Sequence, residues 1–139
     1  MNRRDMLAAM GALALAPTMA FAETGWVDYT PGLVKARLAA GETVFVDFSA
    51  TWCTTCKSQE RSIGALMGEN PAYGENVTFV RVDWDDFGRG ELATELAIPR
   101  RSTLVVLKGD AELGRIVAGT RKSDIQALMD VALGAATAA

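Results

Sequence analysis

The stretch from Val44 to Glu60 reads VFVDFSATWCTTCKSQE, and two patterns meet inside it. Val44 to Phe48 is a β-branched and aromatic run, the composition of a buried strand, broken only by the carboxyl group of Asp47. A turn from Ser49 to Trp52 then leads into a helix that opens at Cys53 and is expected to run to about Gly68, with Ile63, Leu66 and Met67 facing inward. The two cysteines of the 139-residue chain stand three apart at this junction. In the first turn of a helix, side chains three apart share a face, so the two sulfurs can close a small disulfide. Cys53 also meets the unpaired N–H groups and the positive end of the helix, which favour a thiolate.

These positions assign Cys53 as the attacking nucleophile and Cys56, one turn in and more buried, as the resolving thiol. An inert disulfide is the structural alternative, but so short a loop restrains little of the unfolded chain. A zinc site needs further ligands, and the chain has no third cysteine and no histidine. No metal is therefore expected on a monomer, and the only redox group is the Cys53–Cys56 disulfide itself. The absence of histidine also removes Ser-His and Cys-His catalytic pairs. Asp47 lies in the strand that delivers the chain to the cysteines. A lone acid there is costly to bury unless paired; as a buried group with raised proton affinity it can take or return the Cys56 proton while a mixed disulfide resolves. Lys57 either pairs with Asp47 or is solvated. Trp52, just before the nucleophile, is a candidate docking surface or an aromatic covering the core.

Outward from this segment the chain alternates. A short strand is expected over Trp26 to Tyr29, and a helix opening at Pro31 with Leu33, Val34 and Leu38 on one face, stopped by Gly41. After the cysteine helix come a strand over Val77 to Val82, an acidic loop, and a helix from about Arg89 to Leu96 that Pro99 forbids from continuing. Leu104 to Leu107 is a third core strand, turned at Lys108 to Ala111 into a strand over Leu113 to Ala118. The last helix is expected to be capped by Ser123, with Asp124 at its positive end and Ile125, Leu128, Met129, Ala132 and Leu133 inward, its Gly134 to Ala139 end fraying. Parallel strands joined by helical crossovers, followed by an antiparallel hairpin, give an α/β fold with a mixed central sheet and helices on both faces.

The length fits one domain. A formal net charge of -3 and a pI near 4.9 argue against nucleic acid as a partner, because counterion release needs a basic face. Asp83, Asp85, Asp86 and Glu91 read as a solvated rim rather than a metal cage. The first residues carry Arg3 and Arg4, an apolar run from Met6 to Ala16, and Ala20-Phe21-Ala22 as a small-x-small cleavage site. Residues 1–22 are thus expected to be a signal peptide cleaved after Ala22, with a retained membrane anchor as the alternative, leaving a domain over 23–139 in the periplasm. Arg3-Arg4 resembles a twin-arginine signal and suits an ordinary secretory leader equally.

The segment from Val44 to Glu60 resembles the thioredoxin superfamily, with the strand acid, the Trp-Cys-x-x-Cys-Lys unit and their spacing all in place. More narrowly it is similar to the C-terminal periplasmic domain of transmembrane thiol:disulfide reductases, which has Asp-Phe-x-Ala-x-Trp-Cys-x-x-Cys-Lys and, downstream, an Asp-Trp pair such as Asp83-Trp84 here. The likeness spans nearly all of 23–139 and is most specific around the cysteines. It implies a thioredoxin fold and a thiol:disulfide oxidoreductase that reduces disulfides of periplasmic client proteins, with electrons from a membrane donor; a monomer is expected. A disulfide oxidase or isomerase of the same fold is the nearest rival.

Two departures from the family pattern stand out. Thr54-Thr55 replaces the common Gly-Pro between the cysteines, at positions that tune redox poise. Aligning Leu104 to Gly109 with the third core strand puts Ser102 where the family has a cis-proline, so the bond before Ser102 is expected to be trans, unless Pro99 fills that position through a shift of register. By resemblance this loop, with Arg101, Ser102 and Thr103, is where a client strand lands. A serine there loosens client specificity or admits a metal or cluster shared by two chains, which is the alternative binding-module reading. Arg100 and Arg101 either favour a thiolate and acidic clients or form a solvated loop.

Overall fold

The structure, a computed structural model, describes residues 25–138. The expected leader, residues 1–22, and its cleavage point lie outside the described residues. In chain order the elements are β1 (Trp26–Asp28), α1 (Leu33–Ala39), β2 (Thr43–Ser49), α2 (Thr54–Glu69), α3 (Ala72–Asn76), β3 (Thr78–Asp83), α4 (Trp84–Phe87), α5 (Glu91–Glu95), β4 (Thr103–Lys108), β5 (Ala111–Val117) and α6 (Lys122–Thr137). The strands form one sheet in the order β1-β3-β2-β4-β5. β3 runs parallel to both β1 and β2, while β4 is antiparallel to β2 and β5 to β4. The helical crossovers serve the parallel pairs, and Gly109 supplies the positive φ at the turn between β4 and β5.

The central strand β2 is buried along its whole length, and its alternation sorts the two cores. Phe45 packs with Phe79, Leu104 and Val106 against Ile63 and Leu66 of α2 and Ile125, Leu128 and Met129 of α6. Val44, Val46 and Phe48 face the other side, with Val80, Val82, Val105 and Leu107 beneath Val34 of α1 and Leu92 and Ala93 of α5. By the two-residue period Asp47 and Ser49 share the face of Phe45, so Asp47 lies on the side covered by α2. The result is the thioredoxin fold, a five-stranded mixed sheet with helices on both faces, as the sequence led us to expect.

Differences from the expected elements are local. The segment before β3 forms α3, ahead of which the Asn70 side chain accepts from the Ala72 N–H at 3.1 Å, and within which buried Tyr73 donates its hydroxyl to Asp130 of α6. Part of the acidic loop is a single helical turn, α4, because the Asp83 carboxylate caps it, accepting from the Asp85 N–H at 2.9 Å. Ser123 does not cap α6. The helix starts two residues earlier than that cap would give, at Lys122 with Arg121 as N-cap, and the Arg121 carbonyl accepts from Asp124 and Ile125 at 3.1 Å each. Nor does the alanine-rich end fray at Gly134: the helix continues to Thr137, as alanine's high helix propensity favours.

Candidate active site

Cys53 and Cys56 are joined by a disulfide at the head of α2. Cys53 is the N-cap of that helix, in extended conformation, and its Sγ accepts from the Cys56 N–H at 3.2 Å. The helix therefore offers its first turn to sulfur where a serine or aspartate oxygen usually sits, and the same N–H and dipole stabilise a thiolate once the bond is reduced. Both cysteines are buried, Cys53 at 2% exposed and Cys56 at 0%. Ala50 packs beside them and Trp84 closes one wall, its ring standing edge-on to Phe48.

The loop before β4 approaches from the opposite side. Because Phe48 pairs with Thr103 across β2 and β4, the residue just before β4 falls next to the end of β2, beside the cysteines. That residue is Ser102. Among the described residues no peptide bond is cis, as expected before a serine. Pro99, the alternative, is exposed, while Ser102 is fully buried with its Oγ 3.2 Å from Cys53 Sγ and 3.0 Å from Cys56 Sγ. Its φ of 63° lies in the left-handed region, which costs a residue with a Cβ about 1–3 kcal/mol and persists only where the surroundings impose it. Here they do. The Ser102 N–H donates to the Phe48 carbonyl at 2.7 Å, and its carbonyl accepts from the Ala118 N–H at 2.8 Å and from Gln59 Nε2 at 2.9 Å.

Gln59 is a site residue that the sequence reading did not single out. Fully buried, it spends its amide on two carbonyls, Ser102 and Gly119, each at 2.9 Å. It thereby ties the helix carrying the cysteines to the loop that faces them. The available signal was its spacing: Gln59 follows Cys56 by three, on the helix face that goes on to Ile63.

Asp47 is fully buried, and neither of its oxygens has a hydrogen-bond partner among the described residues. Burial first, and then the negative charge of Glu60, push its proton affinity up to about 8, against the opposing pull of Arg81. Glu60 itself accepts from the Ser49 hydroxyl at 3.0 Å and lies 3.2 Å from Arg81 Nε. Glu60 and Arg81 also line a small cleft with Ser49, Ala50, Thr51, Lys57 and Asp83. Lys57 is exposed and takes part in none of the ion pairs among the described residues. The charges acting on Asp47 are thus those of Glu60 and Arg81, and Lys57 takes the solvated alternative.

Trp52 does not cover the core: it is 54% exposed. Its indole N–H donates to the Asp85 carboxylate at 2.9 Å, and the Arg101 guanidinium lies over its ring. Arg100 turns inward on the loop, donating to the Arg101 carbonyl at 3.0 Å. Thr103 is the third residue expected in the landing site. As the first residue of β4 it is fully buried, and its hydroxyl donates to the Arg100 carbonyl at 2.7 Å. Of the three loop residues, only Arg101 reaches the surface.

The described residues also have clear relatives. The thioredoxin family profile matches residues 34–131. The chain is 31% identical over 96 residues to a thioredoxin of Echinococcus granulosus, covering 69% of this chain and 83% of that protein. It is 30% identical over 111 residues to an H-type thioredoxin of Oryza sativa subsp. indica, covering 80% and 84%. Among solved structures, Trxlp from Edwardsiella tarda EIB202 superposes with a TM-score of 0.64 at 26% identity, covering 74% of this chain and 97% of that one. Since the profile spans strands β2 to β5, the cysteine pair and most of α6 together, the chain belongs to the thioredoxin family, as one of its thiol:disulfide oxidoreductases.

Proposed function

We propose that this oxidoreductase is exported and acts as a reductant of protein disulfides in the periplasm, fed by a membrane electron donor. In the cycle, the Cys53 thiolate attacks a client disulfide and bonds to one client sulfur. The other client sulfur leaves as a thiolate and takes a proton from water. Asp47 accepts the Cys56 proton, and the Cys56 thiolate attacks Cys53 Sγ, closing the Cys53–Cys56 disulfide and releasing the second client thiolate. The client gains two electrons and the cysteine pair loses two.

The observation that carries the exchange chemistry is the Cys53–Cys56 disulfide at the head of α2, supported by Asp47, a carboxyl buried on the α2 side of the sheet with no hydrogen-bond partner among the described residues and a proton affinity near 8. That value keeps it close enough to neutrality to exchange a proton with a thiol. By microscopic reversibility it serves either direction, so the net direction depends on the potential. The likeness of Val44 to Glu60 to periplasmic reductase domains, and the leader pattern of residues 1–22, favour reduction outside the cytoplasm.

The test is the equilibrium potential of the pair in the mature protein, with metal content measured on the same sample and the N-terminus determined after expression of the full chain. A potential of about -270 mV, as for thioredoxin, supports the reductant, and one of about -120 mV makes the protein an oxidase instead. Bound iron or zinc would put the metal-binding reading first. An unprocessed chain retained in the cytoplasm would overturn export.

A further inference from the structure

We propose that the Ser102 hydroxyl is a single hydrogen-bond donor shared by the two sulfurs, serving the Cys53 thiolate before attack and the Cys56 thiolate during resolution. The inference rests on the dithiol–disulfide chemistry of the pair and holds for either direction of electron flow.

The first support is where the hydroxyl points. Ser102 Oγ lies 3.2 Å from one sulfur and 3.0 Å from the other. Among the described residues these sulfurs are its hydrogen-bond partners, with no oxygen or nitrogen acceptor competing. Sulfur in a disulfide is a weak acceptor, whereas a thiolate is a charged one. The donor is thus poorly used in the oxidised state and gains as negative charge appears on sulfur, which is how a preorganised donor assists a reaction.

The second support is the backbone. At a φ of 63° a glycine would sit without strain. The chain instead places a residue with a Cβ there and holds it with hydrogen bonds from Ala118 and Gln59 to its carbonyl and from its own N–H to Phe48. The strain accompanies a side chain that reaches both sulfurs, and the backbone hydrogen bonds fix its position.

A hydroxyl has one hydrogen to give and turns freely about its C–O bond. It can therefore follow the charge. In the dithiol state it points at Cys53. Once Cys53 is bonded to client sulfur and carries no charge, the hydroxyl turns to Cys56. No covalent change occurs at Ser102, which keeps its proton throughout; the electrons move between the cysteine pair and the client as above.

The experiment uses full-length chains with one cysteine each, C56A reporting Cys53 and C53A reporting Cys56, titrated through the neutral range by thiolate ultraviolet absorbance. Ser102→Gly removes the hydroxyl and accepts the backbone conformation. Ser102→Ala removes the hydroxyl and keeps the strain. The other charged groups around the pair, Asp47 on β2, Glu60 on α2, Arg81 on β3 and Arg101 in the loop, are unchanged in every chain. Loss of a hydrogen bond to a charged group is expected to lower the thiolate fraction about tenfold at a given pH, in both backgrounds and with both Ser102 variants. A parent-like titration in either background, or from Ser102→Ala, overturns the assignment. If the unmutated protein fails to reduce insulin disulfides, the thiol chemistry itself is wrong; if it reduces them while Ser102→Gly titrates like its parent, only the role of Ser102 is wrong.

Discussion

The guanidinium of Arg101 lies over the indole of Trp52, its carbon 4.3 Å from the ring centroid, next to the nucleophilic cysteine. The same indole is held from its edge by Asp85. A half-exposed aromatic held between a cation and an anion has a fixed face, which under the proposed function is where a client chain docks. Arg101→Ala removes a cation–π contact worth about 0.5–1 kcal/mol at an exposed site. The expected outcome is a melting temperature within a few degrees of the parent, and kcat/KM for a protein disulfide lowered about threefold. Reaction with a small disulfide such as oxidised glutathione, which needs no such face, should be unchanged. Parallel kinetics on the two substrates check this.

Asp47 makes stability depend on pH. Its carboxyl titrates near 8 in the folded chain and near 4 in the unfolded one. Between those values the folded state binds the extra proton, so the stability Asp47 contributes is fully present below about pH 4 and is lost as pH rises through the window. Asp47→Asn should flatten this dependence and be more stable than the parent above pH 8 by up to about 5 kcal/mol. Urea denaturation at several pH values measures it. The same variant should prolong the mixed disulfide about a hundredfold, because the Cys56 proton loses its acceptor.

Gln59→Ala should be costly for a residue so far from the surface. It leaves the buried Ser102 carbonyl with only the Ala118 N–H, deprives the Gly119 carbonyl of its amide donor, and opens a cavity under α2. A loss of about 2–4 kcal/mol is expected by chemical denaturation. Gln59→Leu fills the space without restoring the donors and should recover only part of it.

The cysteines themselves separate cleanly. Cys53→Ser should abolish insulin-disulfide reduction. Cys56→Ser should keep the attack and lose the resolution, accumulating client mixed disulfides visible on non-reducing gels. Activity retained by Cys53→Ser would refute the assignment of the nucleophile.

Much of this site is legible in the chain because it is local. Cys53, Cys56 and the strand acid Asp47 are placed by one strand-turn-helix segment; the alternation of β2 puts Asp47 on the face of Phe45, and the packing of Phe45 against Ile63 and Leu66 shows that α2 covers that face. The position of Ser102 follows from aligning β4 with the third core strand. What the chain does not display are relations between distant segments. Nothing near Gln59 tells of the two carbonyls, 43 and 60 residues further on, that occupy its amide. Thr103 reads as loop until its pairing with Phe48 makes it the first residue of a central strand. The end of α6 from Gly134 reads as a frayed tail because alanine and glycine lack anchoring bulk, yet the helix continues to Thr137 and Ala136 packs against the core.

The hydroxyl facing the disulfide comes from the other half of the molecule, held by the docking of β4 against β2. An unfolded or nascent chain already owns both thiols and the spacing between them, but not that donor, the helix end beneath Cys53 or the sealed acid. Until the hairpin arrives, the pair has the reactivity of a flexible peptide and is open to oxidation by whatever meets it. Completion of the fold thus switches the chemistry on, so a route delivering the chain already folded would hand over a finished reagent, and one delivering it unfolded would hand over two unguarded thiols.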